Sequence, residues 1–318
     1  MIEQFYDFQS IAFGVLKILL LASVGYALRV SKLLKKEGID GIGNVLVWAA
    51  LPALMITKIT GNFEPAAFKG WWLLPISAII IALGGLAIGY VFQKPLKEFG
   101  ARREFMGACA FQNSGYLPMT LVTFICSGVF CDKLLVLIFL FLIGYNLILW
   151  SLLPPFLSPK KAYKLKLSSF INAPLTATVL SVISVFLFGT GWMPEIISDP
   201  LKLLGNSSFP LALITLGAYL AEHTGHMPEN WKALISAVFA KLIAFPAVVF
   251  MILKAIPMEE TYKFLFMLEA AMPSAVTLVI IGYYSKADNK FLSGIIFYTH
   301  LLSVISIPVW LYVFKSFL

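Results

Sequence analysis

Charge is scarce in this chain of 318 residues: Asp, Glu, Lys and Arg together make up 13%, against roughly 25% in soluble domains. Cysteine is scarcer still, with Cys109, Cys126 and Cys131 the full set, too few for a disulfide framework. Cys126 and Cys131 are close enough along the chain to bridge, but the expectation is that they stay reduced. Histidine is nearly absent, and the one spacing that resembles a metal site, Glu222-His223-Thr224-Gly225-His226, reads as a solvated loop after a helix end rather than a zinc centre. No cofactor is expected. The sequence has no His-Glu-x-x-His motif and no Asp pair. No Ser between Gly107 and Pro118 has an identifiable base, so an intramembrane hydrolase keeps only His300 with Ser303 or Ser114 as a formal route. The first residues, Met1 to Ser10, carry Glu3 and Asp7 and no Lys or Arg. The basic leader of a cleavable signal is missing, and the first span is expected to remain as an anchor.

What the chain has in quantity is apolar sequence, 60% of its residues. Runs of about 20 such residues recur between short charged loops, and each can cross the ~30 Å hydrocarbon layer. The pattern predicts an all-α polytopic membrane protein of ten spans, with the lipid bilayer as its surroundings and no room for a soluble domain. The spans fall at approximately 9–29, 39–59, 70–92, 103–123, 133–153, 173–190, 200–221, 231–254, 262–284 and 291–314. Lys and Arg then separate by side. The loops after spans 1, 3 and 5 hold Arg29, Lys32, Lys35 and Lys36, then Lys94, Lys97, Arg102 and Arg103, then Lys160, Lys161, Lys164 and Lys166. Lys232, Lys286 and Lys290 join them, while the opposite side has only Lys58, Lys69, Lys133, Lys202, Lys254, Lys263 and Lys315. The positive-inside rule puts both termini on the non-cytoplasmic side of a plasma membrane, the inner membrane if the source is bacterial. The net charge of +8 is thus a topology signal and not a nucleic-acid surface.

Two stretches look like interrupted membrane helices: Gln112-Asn113-Ser114-Gly115-Tyr116-Leu117-Pro118 and Glu269-Ala270-Ala271-Met272-Pro273-Ser274. Pro118 and Pro273 lack the N–H that would bond the carbonyls of Ser114 and Glu269, four residues earlier. A free backbone group in hydrocarbon costs several kcal/mol unless protein, water or a ligand satisfies it. Paired interruptions in two halves of a chain point to a transporter's binding site. The halves also correspond at an offset near 157 residues: Pro52 with Pro210, Trp72 with Trp231, Pro118 with Pro273, Asp132 with Asp288, Lys133 with Lys290 and Pro154 with Pro308. Residues 1–153 form a first five-helix repeat, 154–172 a basic cytoplasmic linker and 173–318 a second repeat. An odd number of spans per repeat inverts the second copy, so helices 4 and 9 cross near the midplane.

The segments LPALMITKIT, QNSGYLPMTLV, LLGNSSFPLALITLGAYLA, AAMPSAVTLVIIGYYSKAD and LLSVISIPVWLYV resemble the auxin efflux carrier family, which includes the plant PIN-formed carriers and bacterial permeases for malate or malonate. The likeness covers all ten spans; the plant proteins' long central loop is missing. It implies a scaffold of spans 1, 2, 6 and 7, a mobile transport domain of spans 3–5 and 8–10, and an elevator-like movement between them. It also points to a homodimer through the scaffold helices.

Substrate-binding candidates follow. Asn113 and Ser114 offer side-chain donors and acceptors, and Gly115 permits unusual backbone angles. The half-helix beyond them presents free N–H groups and a positive dipole end, which suit a carboxylate; the bland alternative is that Asn113 and Ser114 only cap that helix. Ser274 divides between site and cap in the same way, with Thr277 beside it. The resemblance turns Asn206 toward the ligand, with Ser207 and Ser208 adjacent; the alternative is an interhelical hydrogen bond, the favoured reading for Asn44 and Asn146. Ionisable residues inside a membrane are costly and usually functional. Lys17 is placed to snorkel to the interface. Lys241 and Glu269 suit either a buried ion pair or a proton-handling site, and His300 is a further proton carrier or a neutral bridge between helices. The leading function is a secondary transporter of a small organic anion, such as an auxin-like acid, malate or malonate. The alternatives are a bile-acid/sodium symporter-like carrier, for which Glu269 alone is a thin oxygen supply, and a membrane ligand sensor or channel.

Overall fold

The computed structural model describes residues 8–96, 99–158, 173–223 and 230–317. Residues 1–7, Lys97, most of the expected basic linker with Lys160, Lys161, Lys164 and Lys166, and Thr224–His226 of the weak metal motif lie outside the described residues. In chain order the longer helices are α1 (Phe8–Val30), α2 (Lys36–Asn62), α3 (Leu73–Gln93), α4 (Arg102–Ala110), α5 (Tyr116–Ile125), α6 (Val129–Ser151), α7 (Ala173–Phe188), α8 (Glu195–Asn206), α9 (Ser208–His223), α10 (Trp231–Ala255), α11 (Glu260–Ala271), α12 (Thr277–Ser285) and α13 (Asn289–Phe317), with a short helical turn at Leu153–Leu157 after α6. Helices α1, α2, α3, α6, α10, α13 and the joined pair α8–α9 are each long and apolar enough to cross a bilayer; α5 and α7 are apolar but shorter. The protein is an all-helical, multi-pass membrane protein.

Where prolines fall explains several irregularities. In α2 the Leu51 N–H reaches the Leu46 carbonyl, and in α10 the Phe245 N–H reaches the Ala240 carbonyl, each one residue further back than in an α-helix. Pro52 and Pro246 follow at once. The proline ring cannot sit against the carbonyl four residues back, and a wide turn just before it eases that clash while the preceding amide still finds an acceptor. Lys241 lies in the second of these turns. Helix α13 instead runs through Pro308 uninterrupted.

Helix α6 is buried on every side from Leu134 to Leu142, as its unbroken LLVLIFLFL sequence requires. Around it, α1 packs on α9, α2 on α7 and α8, α3 on α4 and α6, and α11 on α10 and α13. Lipid supplies no hydrophobic force between helices, so small residues that allow close backbone approach decide these contacts. A Cβ on Gly217 would stand 1.7 Å from the Ala22 carbonyl oxygen, and one on Gly25 would stand 1.9 Å from that of Ile214. Helix α1 also meets α5, but there a Cβ on Gly14 would meet side-chain ends of Ile125 and Leu121 rather than backbone.

One expectation is overturned at the α5–α6 turn. Cys126 and Cys131 are disulfide-bonded, their Cα atoms 5.8 Å apart. The cause is local: α5 ends at Ile125, and Gly128, with a φ of 77°, reverses the chain so that α6 begins beside it.

The same membrane side carries Lys58–Asp132 at 2.6 Å and Lys133–Glu259 at 2.8 Å. The Lys133 ammonium, helped by the Thr261 hydroxyl, holds the Glu259 carboxyl below its ordinary value. With side chains 32% and 54% exposed, the pair contributes less than about 1 kcal/mol. Because the folded value is the lower one, that contribution is present above the ordinary glutamate value of about 4.3 and disappears as acid protonates the group. Lys133→Ala is therefore expected to lower the melting temperature slightly at neutral pH. Near pH 3 the variant and the parent should melt together in scanning fluorimetry.

Candidate functional site

Each interruption is a short extended segment between two half-helices. Phe111 to Gly115 separate α4 from α5, and Met272 to Val276 separate α11 from α12. The two segments cross and bond to each other. Asn113 N–H donates to the Pro273 carbonyl at 2.8 Å, Ala275 N–H donates to the Phe111 carbonyl at 2.9 Å, and Gln112 and Ser274 form an antiparallel bridge. Backbone that would be bare in hydrocarbon is thereby largely satisfied by its counterpart.

The prolines act differently from the sequence expectation. Pro118 is the third residue of α5, where an N–H would lack a helical partner anyway, so it starts the half-helix rather than breaking one. The Glu269 carbonyl is not freed: it accepts from Met272 N–H at 3.3 Å. Gly115 has φ −91° and ψ −71°, angles open to other residues, so its freedom goes unused. What distinguishes Gly115 is room, since a Cβ there would meet nothing within 4 Å.

Side chains then divide the two poles. At the carboxyl end of α4, the Ser274 hydroxyl donates to the Ala108 carbonyl at 2.8 Å and the Lys241 ammonium donates to that of Cys109 at 3.3 Å. Ser274 is thus a tie between the two breaks and not a cap; its N–H donates to the Thr299 hydroxyl at 3.3 Å. Lys241 is fully buried, its Nζ 4.7 Å from the centre of the Phe245 ring. The described ion pairs do not include one between Lys241 and Glu269.

At the amino end of α12 tight turns take up two amides, Leu278 N–H to Ala275 and Val279 N–H to Val276, while the buried Thr277 hydroxyl has no partner among the described residues. The amino end of α5 differs. It has no side-chain cap, and no hydrogen bond among the described residues takes up its first amides, Tyr116 and Leu117. Neither Asn113 nor Ser114 caps it. The Asn113 amide nitrogen lies 3.3 Å from His300 Nε2, while His300 Nδ1 lies 2.8 Å from the Ile296 carbonyl. A carbonyl only accepts, so Nδ1 carries the hydrogen and Nε2 accepts from Asn113. His300 thus bridges α13 and the first interruption with both ring nitrogens engaged. Ser303 donates to the His300 carbonyl and not to its ring, which leaves no hydroxyl–imidazole dyad there.

In front of α5 stands a group of buried side-chain atoms without close hydrogen-bond partners among the described residues: both ends of the Gln112 amide, the Ser114 hydroxyl and both Glu269 carboxylate oxygens. All three residues are at most 1% exposed, and Glu269 faces Ser114 and Gln112. Such atoms are rare in native cores. Gln112 and Tyr145, whose hydroxyl donates to the Gln112 carbonyl, belong to this site together with Thr299, although the sequence reading passed over them. Their signal was a polar group inside an apolar span. Asn206 ends α8 and is exposed, and the Ser207 hydroxyl donates to the Leu204 carbonyl at 2.6 Å. No described hydrogen bond brings either into the crossing. The Lys17 ammonium lies 5.6 Å from the Phe124 ring centre. Glu222 pairs with Arg29 at 3.1 Å.

A family model described as "Membrane transport protein" matches residues 10–172 and 158–311. The chain is 25% identical over 307 residues to an uncharacterized transporter of Methanocaldococcus jannaschii, covering 93% of this chain and 96% of that protein. It is 26% identical over 309 residues to an uncharacterized transporter of Methanothermobacter thermautotrophicus, with 93% and 96% covered. To Protein PIN-LIKES 1 of Arabidopsis thaliana it is 21% identical over 363 residues, with 93% and 77% covered.

Proposed function

Because the chain belongs to the membrane transport protein family, that of the auxin efflux carriers, we propose that this membrane transporter carries a small organic anion, a carboxylate such as malate, malonate or an auxin-like acid. The observation that carries the reading is the amino end of α5: uncapped, with open space beside Gly115 and unpartnered Gln112 and Ser114 in front of it. Free amides at a positive helix end favour a carboxylate, and the two side chains can add hydrogen bonds to it. Asn113, Ser114 and Gly115 form the near side of the site and Ser274 its floor, with Asn206 and Ser207 reaching it from the facing helices in another stage of transport.

In this reading the chain is two inverted five-helix repeats, with α4–α5 and α11–α12 as the crossing pair. Backbone-close packing of α1 on α9 supports one rigid scaffold built from α1, α2, α7, α8 and α9. Softer side-chain contact between α1 and α5 supports a surface along which the other helices slide, as an elevator requires. A homodimer would form through the scaffold. Both termini are placed outside the cytoplasm at a plasma membrane, which sets the Cys126–Cys131 bridge in an oxidising compartment.

The test is a melting-temperature screen of the purified protein against malate, malonate and indole-3-acetate. At about 100 times its Kd, a ligand adds roughly 2.7 kcal/mol to stability, a rise of several degrees. Saturable stabilisation by one of these acids is the expected result. A protein indifferent to all three, yet stabilised by an organic cation, would overturn the assignment.

A further inference from the structure

We infer that one proton is carried on the Glu269 carboxylate with each substrate carboxylate, so that this residue couples transport to the proton gradient. The inference rests on the anion site proposed above and concerns how that site is driven. Glu269 is fully buried in the last turn of α11, and its side chain faces Ser114 and Gln112. Those are the groups that stand before the open amides of α5. A substrate anion drawn to those amides therefore arrives beside a carboxylate that is already part of the protein. Two like charges at contact in a low-dielectric interior repel strongly and cannot both be held.

One cation near Glu269 does not relieve the repulsion of two carboxylates. Lys241 of α10, held at the Cys109 carbonyl and the Phe245 ring, interacts with Glu269 electrostatically but supplies a single positive charge. Tyr145 of α6 gives its hydroxyl hydrogen to the Gln112 carbonyl. The Cys109 thiol of α4 lies on the Lys241 side. His300 of α13 has both ring nitrogens engaged. Among the described residues neither oxygen of Glu269 has a partner at close hydrogen-bond distance, and its near neighbours are Ser114 and Gln112. A proton taken from water on the side of entry, bound to one of those oxygens, removes the repulsion and turns an acceptor into a donor. It leaves to water on the far side when the substrate leaves. A sodium ion held by the same oxygens is the competing device.

The experiment uses purified full-length protein in liposomes, with malate and malonate as probes and the membrane potential clamped at zero. An acid-outside difference of one pH unit should drive the wild-type protein to about tenfold accumulation, the limit for one proton. Glu269→Gln should bring accumulation down to equilibration, and Glu269→Asp, which restores an ionisable carboxyl, should recover part of it. In detergent, wild-type affinity should fall with rising pH by up to about tenfold per unit, whereas the affinity of Glu269→Gln should stay flat. The inference is overturned if a sodium gradient drives wild-type accumulation and a pH gradient does not. It is overturned equally if Glu269→Gln still concentrates malate down the pH gradient, or if wild-type affinity is flat with pH. A wild-type protein that neither binds nor exchanges either acid takes down the carboxylate site, and the coupling with it.

Discussion

Asn113→Ala is expected to lower carboxylate affinity by about 100-fold or more and to abolish uptake, while the protein still folds. Asn113 holds the crossing by two separate bonds, its N–H to the Pro273 carbonyl and its amide to His300 Nε2. Alanine keeps the first. Loss of the second leaves the ring nitrogen without a donor, at a cost of about 1–3 kcal/mol, which a multi-pass bundle of this size tolerates. The substrate, in contrast, loses the amide and the positioned segment that present it to the α5 amides, and 100-fold corresponds to about 2.7 kcal/mol. A monodisperse size-exclusion profile with no ligand-induced rise in melting temperature is the expected pair of observations. A variant that transports at the wild-type rate would show that the substrate binds elsewhere.

Gly217→Val should have the largest effect on the fold. The first carbon of the new side chain would fall 1.7 Å from the Ala22 carbonyl oxygen, 2.6 Å from its carbon and 3.0 Å from the Tyr26 nitrogen. These are backbone atoms of α1, which cannot rotate away as a side-chain end would. The two helices must separate, and the reciprocal contact of Gly25 with Ile214 is lost with them. Ordinary overpacking costs about 1–3 kcal/mol, and this substitution should exceed that range, with little folded protein recovered from membranes. Gly61→Val, at a position with nothing within 4 Å of the added carbon, is the control for helix propensity alone. Equal melting temperatures for the Gly217 and Gly61 variants would show that α1 and α9 do not need this approach.

Much of the architecture was legible because membrane helices advertise themselves through length and hydropathy. Helices α1, α3, α10 and α13 lie within a few residues of the spans read from the sequence, and the two interruptions fall in the stretches singled out there. The disulfide was missed because count and compartment argue only about frameworks; the φ of 77° at Gly128 that turns Cys131 back toward Cys126 is a property of the folded turn. Proline misled at Pro118, where a missing N–H was read as a break and instead begins a helix. Elsewhere its effect is set by the fold: a wide turn precedes Pro52 and Pro246, and at Pro308 the helix runs on.

Composition, hydropathy and residue spacing by themselves determined that this protein crosses the membrane many times and that two of its crossings are interrupted by polar sequence. These are local properties, written in each segment's own side chains. Which of the two interruptions stays open was decided only in three dimensions. Ser274 and Lys241 close the carboxyl end of α4 and tight turns take up two amides of α12, while among the described residues Gln112, Ser114 and Glu269 meet before α5 without close hydrogen-bond partners. The reason is that hydrogen-bond satisfaction in a bilayer is settled between helices distant in the chain, and no single segment records who its partner is.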